Sequence, residues 1–177
     1  MSHYFSNFFK LVPIGLIILS LTSSNPVTAQ PAPPTENTNT SIGSYVGIGG
    51  AIGLGGNTTS LGSGGVAILS KARFTDNLSL HDATVLFGKS AATSMIILTA
   101  DFPIRNNAGQ TIASPFIGGG AMLRYDRGLY ISPAVSGGID LPLSKDFIGT
   151  VRINAGFPSN RSADVGFLVG AGYNFGR

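Results

Sequence analysis

The 177-residue sequence has no cysteine and no tryptophan. Without cysteine there are no disulfides, thiolate metal sites or thiol nucleophiles. Charge is scarce too: 11 % of residues are charged, against about 25 % in ordinary soluble domains. Glutamate occurs once, as Glu36, and histidine only as His3 and His81. Nucleophilic catalysis needs a serine, a histidine and a carboxylate in contact, and a metal centre needs clustered ligands. Neither a cofactor nor a metal is expected. Beyond Gln30 no apolar run approaches the ~18 residues of a membrane-spanning helix. The net charge of +3 comes from scattered Lys and Arg. There is no basic run to grip a phosphate backbone, so nucleic acid is not an expected partner.

The N-terminus reads as an address. Lys10 precedes the apolar run Leu11–Leu21, and Val27-Thr28-Ala29 stands before Gln30. A positive residue, a short apolar core and small residues at −3 and −1 form a secretory signal peptide over residues 1–29, with cleavage between Ala29 and Gln30. Residues 30–41, QPAPPTENTNTS, are polar and Pro-rich, with almost nothing to bury, and read as a disordered leader.

Residues 42–177 carry a different pattern. Every second residue of the C-terminal stretch is apolar: Ala163, Val165, Phe167, Val169, Ala171, Tyr173 and Phe175. Between them stand Asp164, Gly166, Leu168, Gly170, Gly172 and Asn174. Period two is the signature of a strand with two unlike faces. Further segments repeat it. Val46, Ile48 and Ile52 alternate with Tyr45, Gly47 and Gly49, and Val66 and Ile68 with Leu69 and Lys71. Ile117 and Leu123 alternate with Gly118 and Arg124, and Val151 and Ile153 with Thr150 and Arg152. Eight such segments of about ten residues match the ~9–11 that span a bilayer as a tilted strand. The charged residues Lys71, Arg73, Asp101, Arg124, Asp140, Arg152 and Asp164 all fall opposite the continuous apolar face. Strands with open edges cannot exist in lipid. The expected fold is therefore all-β, an eight-stranded antiparallel up-and-down transmembrane barrel, with the apolar face on lipid and the charged face in the lumen.

Two positions resist this pattern. Asp82 lands on the apolar face of its segment, which requires a β-bulge near His81 or an interface. Pro133 lies inside a segment, where it removes a ladder hydrogen bond, and a local bulge is expected there. There is also an internal echo at a spacing of ~70 residues: YVGIGGA from Tyr45 against FIGGGAM from Phe116, and FTDNLSL from Phe74 against LSKDFIG from Leu143.

YVGIGGAIGL, PFIGGGAMLRY, RFTDNLSL, DLPLSKDF and the terminal VGAGYNF resemble the small eight-stranded outer-membrane barrels of the OmpA, OmpX and opacity-protein type. The resemblance covers about Ile42 to Phe175. It implies that Tyr173 and Phe175 form the C-terminal signal read by the barrel assembly machinery, although Gly176 and Arg177 follow them here. It also implies termini in the periplasm, with periplasmic turns at residues 75–77 and 144–146. Short outer loops would then lie near residues 57–63, 88–93, 126–128 and 159–162. The partners implied are outer-membrane lipid and the assembly machinery, with the chain itself a monomer.

The expected role is structural or at the surface, in the outer membrane. Lys71, Arg73, Arg124 and Arg152 would pair with Asp101, Asp140 and Asp164 to close a lumen only wide enough for side chains. The alternative is a narrow pore, because many lumen positions are Gly, Ala or Ser. In such a wet lumen a polar replacement of Gly170 would be tolerated. A lipid-modifying enzyme and a secreted lipocalin-like binder are further alternatives; Ser79 and His81 share a face, but the run SLHD cannot form a triad on one strand. Intact-mass measurement of the exported protein should give a chain that begins at Gln30; a mass that retains Leu11–Leu21 would reject cleavage.

Overall fold

The computed structural model describes residues 41–56, 58–90 and 92–175. The expected cleavage at Ala29 and Gln30, most of the leader, and the final Gly176 and Arg177 lie outside the described residues. The chain runs through β1 (Ser44–Gly55), a single helical turn α1 (Ser60–Ser63), β2 (Gly65–Arg73), β3 (Leu78–Leu86) and β4 (Ala92–Asp101). It continues through β5 (Ile104–Arg105), β6 (Thr111–Tyr125), β7 (Leu129–Pro142), β8 (Phe147–Gly156) and β9 (Asp164–Phe175). Every pairing is antiparallel, in the order β4-β3-β2-β1-β9-β8-β7-β6, and a β4–β6 ladder closes the ring at eight strands. β5 is a two-residue strand that pairs only with the start of β6. The wall is thus the expected all-β, eight-stranded antiparallel barrel.

Period-two alternation sorts the side chains. Ile48, Ile117 and Ile131 are 72 %, 64 % and 68 % exposed on the outward face. Leu69, Ile97 and Leu168 are fully buried on the inward face. Both ends of the wall carry exposed aromatic residues. Phe74, Phe102, Phe147 and Tyr173 lie toward the end where β1 begins, here the turn end. Phe87 and Phe157 lie toward the opposite loop end.

The two turns of the sequence echo share their hydrogen bonds. Leu78 O accepts from Phe74 N and Thr75 N, and Phe147 O accepts from Leu143 N and Ser144 N. In each turn a hydroxyl accepts from the backbone N–H two residues on, Thr75 from Asn77 and Ser144 from Asp146. The turns join β2 to β3 and β7 to β8, equivalent places in two four-strand halves.

Neither expected bulge is present. β3 keeps continuous register with β2 and β4 through Asp82, which stays on the outward side. Pro133 pairs in register with Ala121, while the β7–β8 ladder begins only at Ala134. Pro133 O accepts from Phe157 N at 2.9 Å, so the missing N–H points past the end of β8. Proline is tolerated there because the strand edge is already leaving the sheet. The irregularity in the wall lies instead between β1 and β9, at Gly53 and Gly55.

Gly170 also departs from expectation. A Cβ there would overlap Leu69 Cδ1 and press on Ile48 O. The lumen side of Gly170 is occupied, not wet, so a polar replacement is not tolerated.

Gly49 pairs directly with Gly170. A Cβ on Gly49 would overlap Val169 O, whereas one on the neighbouring Gly50 would meet nothing within 4 Å. Gly49→Ala should therefore destabilise the barrel by about 1–3 kcal/mol through overpacking. Gly50→Ala should stay within about 0.5 kcal/mol of the parent. Urea titration of the protein folded in detergent micelles distinguishes the two; equal effects would contradict the packing of this seam.

Candidate functional site

The inward face builds two layers. Toward the turn end lies a polar layer. Lys71 Nζ on β2 stands 3.1 Å from Asp101 Oδ2 on β4 and 3.1 Å from Asp140 Oδ2 on β7. Asp140 Oδ1 accepts from Tyr45 OH at 2.9 Å and from Thr150 Oγ1 at 2.7 Å. Asp101 accepts from Ser79 Oγ, and from Thr99 Oγ1 at 3.1 Å. Arg152 on β8 donates from Nη2 to Tyr45 OH, from Nε to Thr150 Oγ1 at 3.0 Å, and from Nη1 to the Asp82 carbonyl at 3.3 Å. Its guanidinium carbon lies 5.6 Å from the Phe116 ring centre. All these side chains are essentially buried, and each carboxylate has several donors, the condition under which a buried charge is tolerable.

Toward the loop end the lumen turns apolar. Leu69, Val85, Met95, Ile97, Met122 and Leu168 form one buried cluster with Leu61 of α1. These residues rest on wall glycines. A Cβ on Gly156 would overlap the Met122 sulfur, and one on Gly166 would stand 2.6 Å from Leu61 Cδ1. In the polar layer Gly172 and Gly138 make the same room for Tyr45 and Phe116. Glycine on one strand is the space into which a large side chain from another strand fits.

The first loop holds Leu61 in place. Thr59 caps α1. Ser60 N donates to Ser90 Oγ at 2.9 Å and to Thr93 Oγ1 at 3.0 Å, and Ser60 Oγ donates to Ser90 O. Asp164 accepts from Thr58 N at 3.1 Å and from Thr58 Oγ1. Arg124 lies 4.3 Å over the Tyr130 ring centre, with Nη1 3.4 Å from Thr58 O.

The seven charged residues singled out in the sequence therefore divide. Lys71, Asp101 and Asp140 are brought together. Arg152 joins them through Tyr45 and Thr150, without a carboxylate within salt-bridge range among the described residues. Arg124 and Asp164 lie at the loop end and fasten Thr58 rather than each other. Arg73 is a correction: it does not join the lumen network. At the last residue of β2 its side chain reaches the turn, where it meets Asp76 together with Arg105, 2.8 Å away. Half-exposed in water, Asp76 offers a cheaper partner than the lumen does. Hydrogen bonds from Arg105 and Arg73 hold its carboxyl below the ordinary value of 3.8.

Tyr45, Thr150, Phe116 and Leu61 carry much of the interior, and none of them stands out in the sequence as a charged residue does. Tyr45 and Phe116 are findable as the large inward residues of glycine-rich strands; Leu61 has no periodic signal. Tyr173 points outward, edge-on to Phe147 with ring centres 6.0 Å apart, and Phe175 ends β9 opposite Ser44.

Ser79, His81 and Asp101 do converge, but not as a nucleophilic site. The Ser79 hydroxyl donates to Asp101, and neither ring nitrogen of His81 has a hydrogen-bond partner. Nε2 stands 3.8 Å from Asp101 Oδ1, and the ring lies against Phe116 at 4.2 Å. Without a serine–histidine hydrogen bond the serine is not activated.

Eight strands close the wall, with an apolar outward face interrupted at Asp82 and with Lys71, Asp101, Asp140 and Arg152 buried inside. The fold is a closed, eight-stranded antiparallel β-barrel. No protein-family model matches the chain, and no curated protein matches it. Among solved structures it is similar to Ail, the attachment invasion locus protein of Yersinia pestis, in complex with the heparin analogue sucrose octasulfate. Identity is 18 % and the TM-score 0.42, over 75 % of this chain and 97 % of that one.

Asp140→Ala should cost about 3–5 kcal/mol, because it leaves Tyr45 and Thr150 without their acceptor and Lys71 with one carboxylate in place of two in a buried layer. Arg73→Ala should cost about 1 kcal/mol or less, as exposed ion pairs do. Comparing denaturation midpoints of the two variants tests the division; a larger loss in Arg73→Ala would return that residue to the network.

Proposed function

We propose that this chain is an outer-membrane β-barrel with a structural or surface role, whose narrow lumen is closed by its own side chains. The observation that carries the membrane reading is the outward belt. Ile48, Ile52, Ile68, Leu98, Ile117, Ile131 and Ile153 stand between 46 % and 72 % exposed around a closed wall. Water would not accommodate so continuous an apolar surface, and lipid does. The N-terminal signal of the sequence supports export, and the outward Tyr173 and Phe175 on the last strand support recognition by an assembly machinery. In that setting the turns at 75–77 and 144–146 face the periplasm and α1 faces outside.

Closure of the lumen is supported by the two layers in series, one of Leu61, Leu69, Met122 and Leu168 and one of Lys71, Asp101, Asp140 and Arg152. The pore reading relied on small residues that leave room for water, and the glycines concerned are covered by Tyr45, Leu61, Leu69 and Met122. An enzyme is disfavoured because Ser79 donates to a carboxylate instead of to His81.

In planar bilayers the purified protein should be nearly silent. Leu61→Gly combined with Tyr45→Ala should open both layers at once and raise conductance severalfold while the heat-modifiable folded band persists. Steady conductance by the parent protein, unchanged in the double variant, would replace closure with the pore reading. A parent protein that stays soluble and monomeric without detergent would remove the membrane reading itself.

A further inference from the structure

The outward mid-wall is apolar except in one place. Asp82 of β3 pairs across the ladder with Ser70 of β2, and Thr84 of β3 pairs with Ser94 of β4. The Thr84 and Ser94 hydroxyls bond to each other at 2.8 Å. All four are outward by alternation, since their neighbours Lys71, His81, Val85 and Met95 are buried in the lumen. Asp82 and Ser94 keep 7 % exposure each, and Ser70 and Thr84 are half-buried. Together they form a shallow polar strip beside Ile68, Leu80 and Ile96. Nothing among the described residues hydrogen-bonds the Asp82 carboxyl; from the lumen, Arg152 reaches only its backbone oxygen. Hydrocarbon offers these groups no partner. An ionisable side chain in that position marks a site where something else does.

We propose that this strip is the contact surface of a homodimer in the membrane, with two copies of the chain meeting about a twofold axis across β2–β4. The proposal rests on the reading of the outward face as lipid-facing. A second copy fits because acceptor and donors stand side by side. A twofold axis sets the Ser70 and Thr84 hydroxyls of each copy toward the Asp82 carboxyl of the other, and every contact is made twice. No Lys or Arg lies on the outward mid-wall, so the pairing is between carboxyl and hydroxyl. Ala72 and Ser94 are small enough to let two walls approach, as small residues do at interfaces within membranes. The dimer departs from the monomer expected from the sequence: closure satisfies the backbone and, among the described residues, leaves these four side chains without hydrogen-bond partners outside their own strip.

The absence of native cysteine makes single-cysteine cross-linking a clean measurement. Ile68→Cys lies beside the strip, and Ile153→Cys lies across the barrel on β8; the parent residues are 46 % and 53 % exposed. Each protein is purified, refolded into phosphatidylcholine vesicles at a low protein-to-lipid ratio and oxidised. Ile68→Cys should give at least tenfold more disulfide-linked dimer than Ile153→Cys. Adding Asp82→Leu should bring it down to the Ile153→Cys level. If that variant fails to fold, Ser70→Ala with Thr84→Val should have the same effect. Heat-modifiability and flotation with the vesicles report folding and lipid insertion separately, so a failure of the membrane reading is told apart from a failure of the dimer. Equal yields at the two sites, no cross-link at either, or a yield at Ile68→Cys that neither strip variant reduces would overturn the proposal.

Discussion

The interior of this protein is governed by width. An eight-stranded barrel leaves a lumen only as broad as the side chains that point into it. Each large inward residue must therefore find a place where the facing wall is thin. Tyr45 lies over Gly172, Leu69 over Gly170, Met122 over Gly156 and Leu61 over Gly166. Large and small positions are thus matched between adjacent and next-but-one strands. A glycine in this chain lowers the wall at one point so that a specific side chain can occupy it, which is why glycine abundance and a filled lumen coexist.

The same narrowness explains how charge is arranged. Lys71 of β2 stands between Asp101 and Asp140, carboxylates on the two strands that flank β6, and one ammonium group can reach both because the ring is small. Tyr45, Thr99 and Thr150 supply the remaining donors. Beyond this layer the next charged side chains of the lumen, among the described residues, are Asp164 and Arg124 at the loop end. The stretch between is held by Leu69, Met95, Ile97, Met122 and Leu168. Buried charge is costly unless fully partnered, and one compact polar layer keeps all the donors within reach of the two carboxylates.

Alternation is a local property of a strand, so its consequences are legible in the sequence. The eight-stranded antiparallel wall is one of them, and so are the outward Ile48, Ile68, Ile117 and Ile153. The inward side of Lys71, Asp101, Asp140 and Arg152 is a matter of parity alone. Partnership across the lumen is not local, and parity cannot supply it. Parity says that Arg73 is inward, but Arg73 is the last residue of β2, and a long side chain at a strand end can turn to Asp76 in the adjoining turn. Parity also reads Gly170 as free space, because the residue that fills it, Leu69, is about a hundred positions away in sequence. By pattern Pro133 interrupts a ladder, yet the ladder on that side starts one residue later. Leu61 belongs to a single turn of helix and has no period to detect.

β3 is the strand on which the two sides of the wall come closest to conflict. Among the described residues, His81 faces inward with neither ring nitrogen hydrogen-bonded, and Asp82, its neighbour, faces outward with no hydrogen bond to its carboxyl. Adjacent residues on a strand point to opposite faces, so the two cannot satisfy each other even though they are consecutive. Arg152 comes between them in the lumen and reaches the Asp82 carbonyl, but the sheet separates its guanidinium from the carboxyl beyond. Inside, the deficit is bearable because Phe116 covers the imidazole and the two carboxylates of Asp101 and Asp140 share the layer with the two cations Lys71 and Arg152. Outside, the polar side chains paired beside Asp82 among the described residues are the hydroxyls of Ser70, Thr84 and Ser94. The lumen can be completed within one chain because its walls face each other. The outward strip has no facing wall of its own, and its acceptor and donors are completed only by a surface that carries the same groups in the opposite order.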